Sequence, residues 1–219
     1  MDKFKQLTEL FLEVNAKINL SAYNTFDEVY QKNVLDSMHL AKFMDLKGLK
    51  VLDVGTGGGF PLLPLAIEFE TAEFTGLDSV HKKLKAIQVM AESLNLKNLS
   101  TLHSRCEDAA MHLDYREKFD VVLSRAFAKW PINLEMCLPF VKTDGVFIAY
   151  QGPSVVEALV EYKDIEQQFG AKLEKIEQVQ TENGLRYFVF FRKTKTCPKK
   201  YPRGLKFLKN FYKLSRNGK

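Results

Sequence analysis

The sequence predicts an α/β protein whose seven-stranded, mostly parallel sheet ends in an antiparallel hairpin and follows a helical cap. A glycine-rich turn joins an apolar strand to a helix within residues 51–67. Strand and helix patterns then alternate through residues 50–169, as they do in successive βα units. The turn residues 182–184, Glu-Asn-Gly, separate two final strand patterns and indicate a hairpin.

The cap is predicted from helical periodicity at the N-terminus. Apolar residues recur at helical spacing over residues 4–18, and a second amphipathic helix is expected from about Asp27 to Met44. Both helices precede the first strand pattern. We therefore expect residues 1–45 to form a helical cap, 46–194 the cofactor-binding domain and 195–219 a basic tail, all within a single structural domain.

Each remaining element is predicted from its own apolar pattern. The expected strands are 50–54, 73–77, 99–104, a strand centred on 121–123, 145–150, and the two hairpin arms 172–180 and 186–193, and the expected helices are about 62–69, 80–94, 131–141 and 154–169. A loop with one helical turn is expected between the third and fourth strands. Because βα connections are right-handed, the carboxyl ends of the strands form the ligand-binding edge.

The glycine-rich turn is the main indication of a ligand. It has the spacing D-x-G-x-G-x-G, formed by Asp53, Gly55, Gly57 and Gly59. The dinucleotide fingerprint needs a third glycine where Phe60 stands, and Asp53 would repel a pyrophosphate. The pattern resembles motif I of the class I S-adenosylmethionine (SAM) methyltransferases, whose ligand is cationic. An ordinary strand-to-helix turn is the alternative.

A second acidic residue supports a nucleoside ligand. Asp78 ends the next strand, where a carboxylate can accept hydrogen bonds from two ribose hydroxyls. Asp78 could instead, or in addition, cap the helix that follows, as could Ser79.

Cysteine content and charge limit the function classes. The three cysteines, Cys106, Cys137 and Cys197, lack metal-ligand spacing and indicate free thiols in a reducing cytoplasm, so no metal is expected. The charged N-terminus does not resemble a signal peptide, and no run of about 18 apolar residues predicts a membrane span.

The C-terminal segment is strongly basic. Residues 192–219 hold eleven Lys and Arg and no Asp or Glu. The whole chain has a formal net charge of +5, so residues 1–191 carry a net charge of −6. Aromatic residues are interleaved with these bases, a pattern expected of a nucleic-acid contact. We predict that Lys199, Lys200, Arg203 and Lys206 bind RNA. The tail could alternatively pack on the domain or remain a solubilising, partly disordered end.

Segments spread over nearly the whole chain carry a family resemblance. They are KINLS (17–21), VLDS (34–37), DVGTGGGFPLLPLAI (53–67), LDS (77–79), SRCED (104–108), SRAFA (124–128) and KKYPR (199–203). Together they resemble the RsmG family, also called GidB. The resemblance implies a class I methyltransferase fold and SAM-dependent methylation of a guanine N7 in 16S ribosomal RNA of the small ribosomal subunit.

The resemblance also implies site residues. The Gly55 loop and Phe60 would line the methionine end of SAM, Asp78 would bind the ribose, and Cys106 and Glu107 would bind the adenine edge. Arg125 would lie beside cofactor and substrate as a positioning residue. From the residues alone, Glu107 could be a surface acid, Cys106 a small core residue, and Arg125 the partner of a carboxylate.

The sequence departs from the family pattern at three places. Val14 stands where many members have Trp, Asn33 where many have His, and Gln151 where many have Lys. We therefore assign no role to Asn33 or Gln151 from the resemblance, while the cofactor loop keeps the pattern intact.

The fourth strand ends in Ser-Arg-Ala-Phe (124–127) rather than the Asp/Asn-Pro-Pro-aromatic motif that holds an amino group for methylation. A guanine N7 has a free lone pair and needs no general base, so catalysis by positioning is expected. Phe127 and Trp130 are candidates to stack the base, or are core residues. The alternatives are methylation of another RNA or a small molecule, or a non-catalytic RNA-binding relative; a monomer is expected.

Overall fold

The computed structural model describes residues 2–217, and for Lys209 and 213–217 it describes the backbone alone. Seven strands and nine α-helices account for most of these residues. Met1 of the predicted cap and residues 218–219 of the predicted tail lie outside the described residues. The strands are β1 (Lys50–Val54), β2 (Glu73–Asp78), β3 (Leu99–His103), β4 (Phe119–Arg125), β5 (Val141–Gln151), β6 (Ala171–Thr181) and β7 (Gly184–Lys193). The α-helices are α1 (Lys3–Ile18), α2 (Phe26–Val29), α3 (Asp36–Met38), α4 (Leu62–Glu68), α5 (His81–Ser93), α6 (Cys106–Ala109), α7 (Ile132–Cys137), α8 (Val155–Glu161) and α9 (Leu205–Asn217).

The strands form one sheet in the order β3-β2-β1-β4-β5-β7-β6. Strands β1 to β5 pair in parallel, and β7 pairs antiparallel with both β5 and β6. The predicted sheet and terminal hairpin are thus confirmed. The strand order reverses between β1 and β4, so the crevice for a ligand lies at the carboxyl ends of these two strands.

Strands β1 and β4 are central and largely buried, whereas β3 at the edge of the sheet is partly exposed. Successive side chains of a strand point to opposite sides of the sheet, so a buried strand contributes to the cores on both faces. Val51 of β1 packs into a core formed with α1, α4, α5 and the cap. Its neighbours Leu52 and Val54 pack into a second core with α7, α9 and the segment around Tyr201. The apolar run at 51–54 therefore contributes to both cores and holds the glycine-rich turn that follows it.

The second helix of the cap is less regular than predicted. Helix α2 continues through a π-helical turn at Tyr30–Leu35 into α3, and a 3₁₀ turn at His39–Lys42 ends it. Asn33 and Asp36 point toward Arg125 of the sheet. The wider π turn accommodates one more residue per turn than the α-helical periodicity of the sequence suggests.

Two predicted helices end early. The expected helix 154–169 divides into α8 and a 3₁₀ turn at Ile165–Phe169, and Asp164 between them has φ 62°. This break lets Phe169 pack edge-to-face on Tyr201, with ring centroids 4.9 Å apart. The expected helix 131–141 consists of α7 and a 3₁₀ turn at Leu138–Phe140.

Among the described residues, no helix is long and apolar enough to cross a membrane.

Candidate cofactor and acceptor site

The glycine-rich turn leaves β1 in a conformation that favours glycine. Gly55, Gly57 and Gly59 have φ of 71°, 57° and 90°. The Gly55 amide donates to the Leu77 carbonyl oxygen at 2.8 Å, which ties the turn to β2. A Cβ on Gly55 would collide with the ring of Phe127, whereas a Cβ on Gly57 would meet nothing closer than the Gly55 carbonyl oxygen at 3.7 Å. The turn is therefore packed at Gly55 and open at Gly57.

Asp78 joins the turn to the loop after β2. Its Oδ2 accepts a hydrogen bond from the Gly57 amide at 3.0 Å, and its Oδ1 accepts one from the Val80 amide at 2.8 Å. Asp78 thus stabilises the turn that leads into α5, close to its predicted capping role. Each carboxylate oxygen has a further lone pair, and Asp78 lines the adjoining cavity.

Asp53 is a buried carboxyl group without a hydrogen-bond partner within the described part of the chain. Neither of its oxygens has one, and the nearby Thr56 hydroxyl has none either. Burial raises the pKa of Asp53 to about 7, and the positive charge of Arg125 opposes this rise only in part. A buried polar group is expected to be satisfied. The amine and sulfonium of SAM are cationic groups of the kind that such a carboxylate attracts, so the residues present fit this cofactor.

A cavity of about 280 Å³ lies between the glycine-rich turn and α6. It is lined by Gly55, Leu77, Asp78, Ser79, Val80, Lys83, Ser104, Arg105, Cys106, Glu107, Ala126, Phe127 and Leu205. The Cys106 Sγ donates to the Met136 carbonyl oxygen at 3.4 Å, and burial raises the pKa of this thiol well above its ordinary value. Glu107 Oε1 accepts a hydrogen bond from the Leu205 amide at 3.4 Å. We call this the cofactor pocket.

A second cavity of about 550 Å³ lies beyond the ends of β4 and β5. It is lined by Ala126, Phe127, Ala128, Lys129, Trp130, Gln151, Ser154, Val155, Glu157, Ala158 and Glu161. Ala126 and Phe127 line both cavities, and Ala126 has a φ of 54°, which is uncommon for a residue with a Cβ. This bend directs Phe127 over Gly55. We call the second cavity the acceptor pocket.

Arg125 connects the sheet to the cap. Its Nη1 donates to Asp36 Oδ2 at 3.0 Å, and its Nη2 donates to Asn33 Oδ1. Arg186 of β7 donates to both oxygens of Asp36 at 3.0 Å. The fully buried Asp36 therefore lies between two guanidinium groups. Arg125 also lies 5.8 Å from the centre of the Phe60 ring, beside the glycine-rich turn.

The C-terminal segment packs against the domain near the cofactor pocket. Arg116 donates to the carbonyl oxygens of Ala110, Cys197, Pro198 and Tyr201 at 2.8–3.1 Å. Arg203 forms a two-point ion pair with buried Glu135, with Nη2 to Oε2 at 2.7 Å and Nε to Oε1 at 3.0 Å. The predicted RNA-binding lysines Lys199, Lys200 and Lys206 are exposed.

Comparison with known proteins identifies the family. The model of the family described as rRNA small subunit methyltransferase G (GidB) matches residues 1–186. The chain belongs to this family. Its relatives include the ribosomal RNA small subunit methyltransferase G of Clostridium perfringens strain 13, 41% identical over 92% of this chain and 85% of that protein. The Clostridium tetani protein of the same name is 40% identical over 92% and 84%.

Solved structures support the same fold class. A 16S rRNA adenine-N1 methyltransferase from Catenulisporales acidiphilia, solved with SAM, superposes with a TM-score of 0.58 at 14% identity, covering 73% of this chain and 92% of that one. A SAM-dependent methyltransferase from Aquifex aeolicus superposes with a TM-score of 0.54 at 18% identity, covering 75% and 92%. This GidB family member therefore has the class I methyltransferase fold and is a SAM-dependent methyltransferase.

The structure brings most of the site residues predicted for this GidB family member to one edge of the sheet. Gly55, Asp78, Cys106 and Glu107 line the cofactor pocket. The remaining residues of the prediction, Asp53, Gly57, Gly59, Phe60 and Arg125, lie around the turn but are not among its lining residues. Within residues 2–217, no three His, Cys, Asp or Glu side chains lie close enough to hold a metal ion.

The carboxylate that pairs with Arg125 could not be identified from the sequence, and neither could Arg186, which shares that carboxylate. Asp36 stands within the segment VLDS, and Arg186 lies on a hairpin strand without a motif of its own. A buried acid on an amphipathic helix is the signal that could have pointed to Asp36, because a buried carboxylate needs a partner. The partner itself depends on tertiary packing.

Proposed function

We propose that this protein transfers the methyl group of SAM to N7 of a guanine in 16S rRNA. The observation that carries this proposal is membership of the rRNA small subunit methyltransferase G family, whose relatives by that name are about 40% identical. The junction of the cofactor and acceptor pockets at Ala126 and Phe127 supports it, because methyl transfer requires donor and acceptor to meet.

In this proposal the cofactor lies along the carboxyl ends of β1 and β2. The open side of Gly57 leaves room for the methionine end, and Asp53 balances its positive charge. Asp78 accepts from the ribose hydroxyls, and the Cys106 backbone and Glu107 carboxylate contact the adenine edge. When bound, SAM supplies a methyl group already activated by its sulfonium.

The acceptor pocket holds the target guanine. Phe127 lines it, is partly exposed and offers aromatic surface for stacking, whereas Trp130 lines it from the core, where it packs on Phe191. Glu157 lines the same pocket and can accept hydrogen bonds from the N1–H and N2–H₂ donors of guanine. Methylation at N7 leaves the purine cationic, and a carboxylate and aromatic faces stabilise a cation.

The chain acts by positioning rather than by proton transfer. The N7 lone pair is free at neutral pH, so no base has to remove a proton before attack. Arg125 holds the end of β4 against the cap through Asp36, which fixes the junction of the two pockets. Lys199, Lys200 and Lys206 attract the RNA phosphates, while Arg203 orders the segment that carries them through its ion pair with Glu135.

A further part of the proposal concerns the setting of the reaction. We expect a cytoplasmic monomer that requires no metal, with residues 46–194 as the SAM-binding domain and 195–219 as an RNA-binding tail. Light scattering of the purified protein at micromolar concentration tests the monomer, and a mass twice that of the chain would contradict it. Retention of full activity after chelation tests the metal independence.

Nucleoside mass spectrometry of 16S rRNA tests the proposed function. Cells lacking the gene are expected to lose one N7-methylguanosine, which the wild-type gene restores and the Gly57→Asp variant does not. The proposal fails if 16S rRNA keeps all of its N7-methylguanosine in the deletion strain, or if a different nucleoside disappears.

A further inference from the structure

Helix α9 holds two phenylalanine rings in solvent beside the cofactor pocket. Phe207 and Phe211 are 53% and 45% exposed, and their rings stack with centroids 5.7 Å apart and planes 21° from parallel. Other large apolar side chains are also exposed, but these two are the exposed residues whose rings stack on one another, and contiguous apolar surface of this kind marks contact sites. We call Phe207, Phe211 and the adjacent Arg203 the aromatic platform.

The position of the platform is fixed by the packing of α9 on the domain. The opposite face of α9 is packed, because Leu208 is fully buried and Leu205 and Tyr212 contact the core. The Arg203 guanidinium lies 5.3 Å and 4.8 Å from the centres of the Phe207 and Phe211 rings. Since Arg203 is itself fixed by Glu135, the two rings are presented in a defined orientation.

The surroundings of the platform favour an anionic partner. Lys199, Lys200 and Lys206 of the same segment are exposed, and the sequence from 192 to 219 contains no acidic residue. The first residue of α9, Leu205, lines the cofactor pocket together with Asp78 and Glu107. A partner that stacks on Phe207 or Phe211 therefore reaches the same edge of the sheet as the methyl donor.

We propose that the aromatic platform stacks an unpaired base of the substrate RNA next to the base that is methylated. The two rings already contact each other, so the base stacks on an outward ring face rather than between them. Every base has a π-face, so this contact adds affinity for single-stranded RNA without reading its sequence. The inference rests on the proposed function and assigns to this helix a role separate from phosphate binding.

Fluorescence anisotropy tests the platform, with the full chain and a labelled 15-nucleotide single-stranded RNA or the same RNA annealed to its complement. The double variant Phe207→Ala/Phe211→Ala is expected to bind the single strand about tenfold more weakly and the duplex as before. The slope of log affinity against log salt is expected to stay unchanged, because no charge is lost.

Three further variants separate stacking from other causes. Phe207→Tyr/Phe211→Tyr keeps the π-faces and is expected to bind like the wild type, whereas Phe207→Leu/Phe211→Leu keeps only apolar bulk and is expected to bind like the alanine variant. Leu173→Ala/Ile176→Ala removes two half-exposed apolar side chains from β6, at the other edge of the sheet, and is expected to change nothing.

Several outcomes overturn the inference. The alanine variant binding RNA with wild-type affinity, or losing equal affinity for the single strand and the duplex, would overturn it. So would wild-type affinity in the leucine variant, or a protein dimer that forms with the phenylalanine pair and is lost in the alanine variant. The methylation assay distinguishes this failure from that of the proposed function. If the wild type methylates 16S rRNA and the alanine variant has the same KM, only the platform is wrong; if the wild type methylates nothing yet binds RNA through the rings, only the proposed function is wrong.

Discussion

Asp53 is the buried residue on which the proposed charge of the ligand depends, although it lies behind the lining of the cofactor pocket. Both of its oxygens are buried and unpartnered within the described residues, and its pKa is raised to about 7 by burial. An unpaired buried carboxylate destabilises a fold, so its retention needs a reason. A cationic ligand beside Asp53 supplies one, since the charge that is costly in the free protein becomes favourable in the complex.

The raised pKa makes SAM affinity depend on pH. In the unfolded chain Asp53 has an ordinary pKa near 3.8, so folding favours its protonated form, and this stabilising contribution is lost as pH rises through about 7. SAM binding favours the ionised form. Affinity measured by calorimetry is therefore expected to rise between pH 5.5 and 7, with release of a proton, and to level off above.

The Asp53→Asn variant is the control for this pH dependence. It keeps the shape of the side chain and removes the titration, so its affinity is expected to be weaker and flat over the same range. A wild-type affinity that does not change between pH 5.5 and 7.5 would show that Asp53 does not face the charge of the cofactor.

Gly57 provides the sharpest steric prediction. A side chain here would enter the open side of the turn, where nothing lies within 3.7 Å of a Cβ. Gly57→Asp is expected to abolish SAM binding in equilibrium dialysis. Gly48→Asp is a matched control, because Gly48 also has a positive φ of 72° and open surroundings but lies before β1. Equal loss of SAM binding in both variants would mean that the Gly57 effect is a folding defect.

At the scale of residues, the sequence predicted the side chains that follow a local pattern. The turn glycines and Asp78 lie where strand ends and glycine spacing predict them. The thiol of Cys106 and the guanidinium of Arg125 could not be oriented, because their directions depend on Met136 and Asp36, which are distant in sequence. The alternative interpretations of the sequence, a core residue for Cys106 and a carboxylate partner for Arg125, describe these two side chains well.

Among the elements, the cap is joined to the sheet by the buried acid Asp36 as well as by hydrogen bonds such as that from the Tyr150 hydroxyl to the Ser37 carbonyl oxygen. Asp36 accepts hydrogen bonds from Arg125 of β4 and Arg186 of β7, so it ties the π-helical region to two strands. Removing one member of a buried ion pair leaves the other charges without compensation. The cap is thus held by charge as well as by its apolar face.

Asp36→Ala is expected to lower the free energy of unfolding by about 3 kcal/mol, measured in urea. Asp45→Ala is the matched control on the cap, since Asp45 is exposed and its partner within the described residues is Lys47, and it is expected to cost less than about 0.5 kcal/mol. Similar losses in the two variants would contradict the role given to Asp36.

The boundaries of helices and strands were predicted well where the spacing of apolar residues determines them. They were predicted poorly where tertiary packing determines them. The turn at 182–184 and the strand at Lys50–Val54 match their predictions. The break at Asp164 could not be read from the sequence, because the apolar positions of 154–169 fit a continuous helix. The position of Tyr201, which packs on Phe169, decides the break.

On the scale of the whole molecule, charge is divided between an acidic body and a basic C-terminal segment. This asymmetry was evident from composition, and the alternation of elements predicted a mostly parallel sheet with a terminal hairpin. The docking of the segment was only one of the alternatives considered. It depends on Arg116 and Glu135, whose roles as partners of residues 197–203 no local pattern reveals.

The basic segment is expected to set the salt dependence of RNA binding. The triple variant Lys199→Gln/Lys200→Gln/Lys206→Gln should reduce the slope of log affinity against log salt by about 2, since each phosphate contact contributes about 0.7–0.9. These exposed side chains can be changed without disturbing buried Leu208, which a deletion would remove.

The control for charge is Lys3→Gln/Lys47→Gln/Lys50→Gln, which changes net charge equally on surface lysines paired with acids. Its slope is expected to equal that of the wild type. Equal reductions in the two triple variants would assign the salt dependence to net charge rather than to the C-terminal segment.

The most direct test of the central claim is methyl transfer by the purified full chain. Small-subunit RNA from cells lacking the gene is incubated with SAM labelled on its methyl group, digested and analysed by nucleoside mass spectrometry. We expect one labelled methyl per 16S rRNA, on guanine N7, and no label with the Gly57→Asp variant. Label on another atom or nucleoside would contradict this expectation. So would the absence of label on an RNA that extract from cells carrying the gene does methylate.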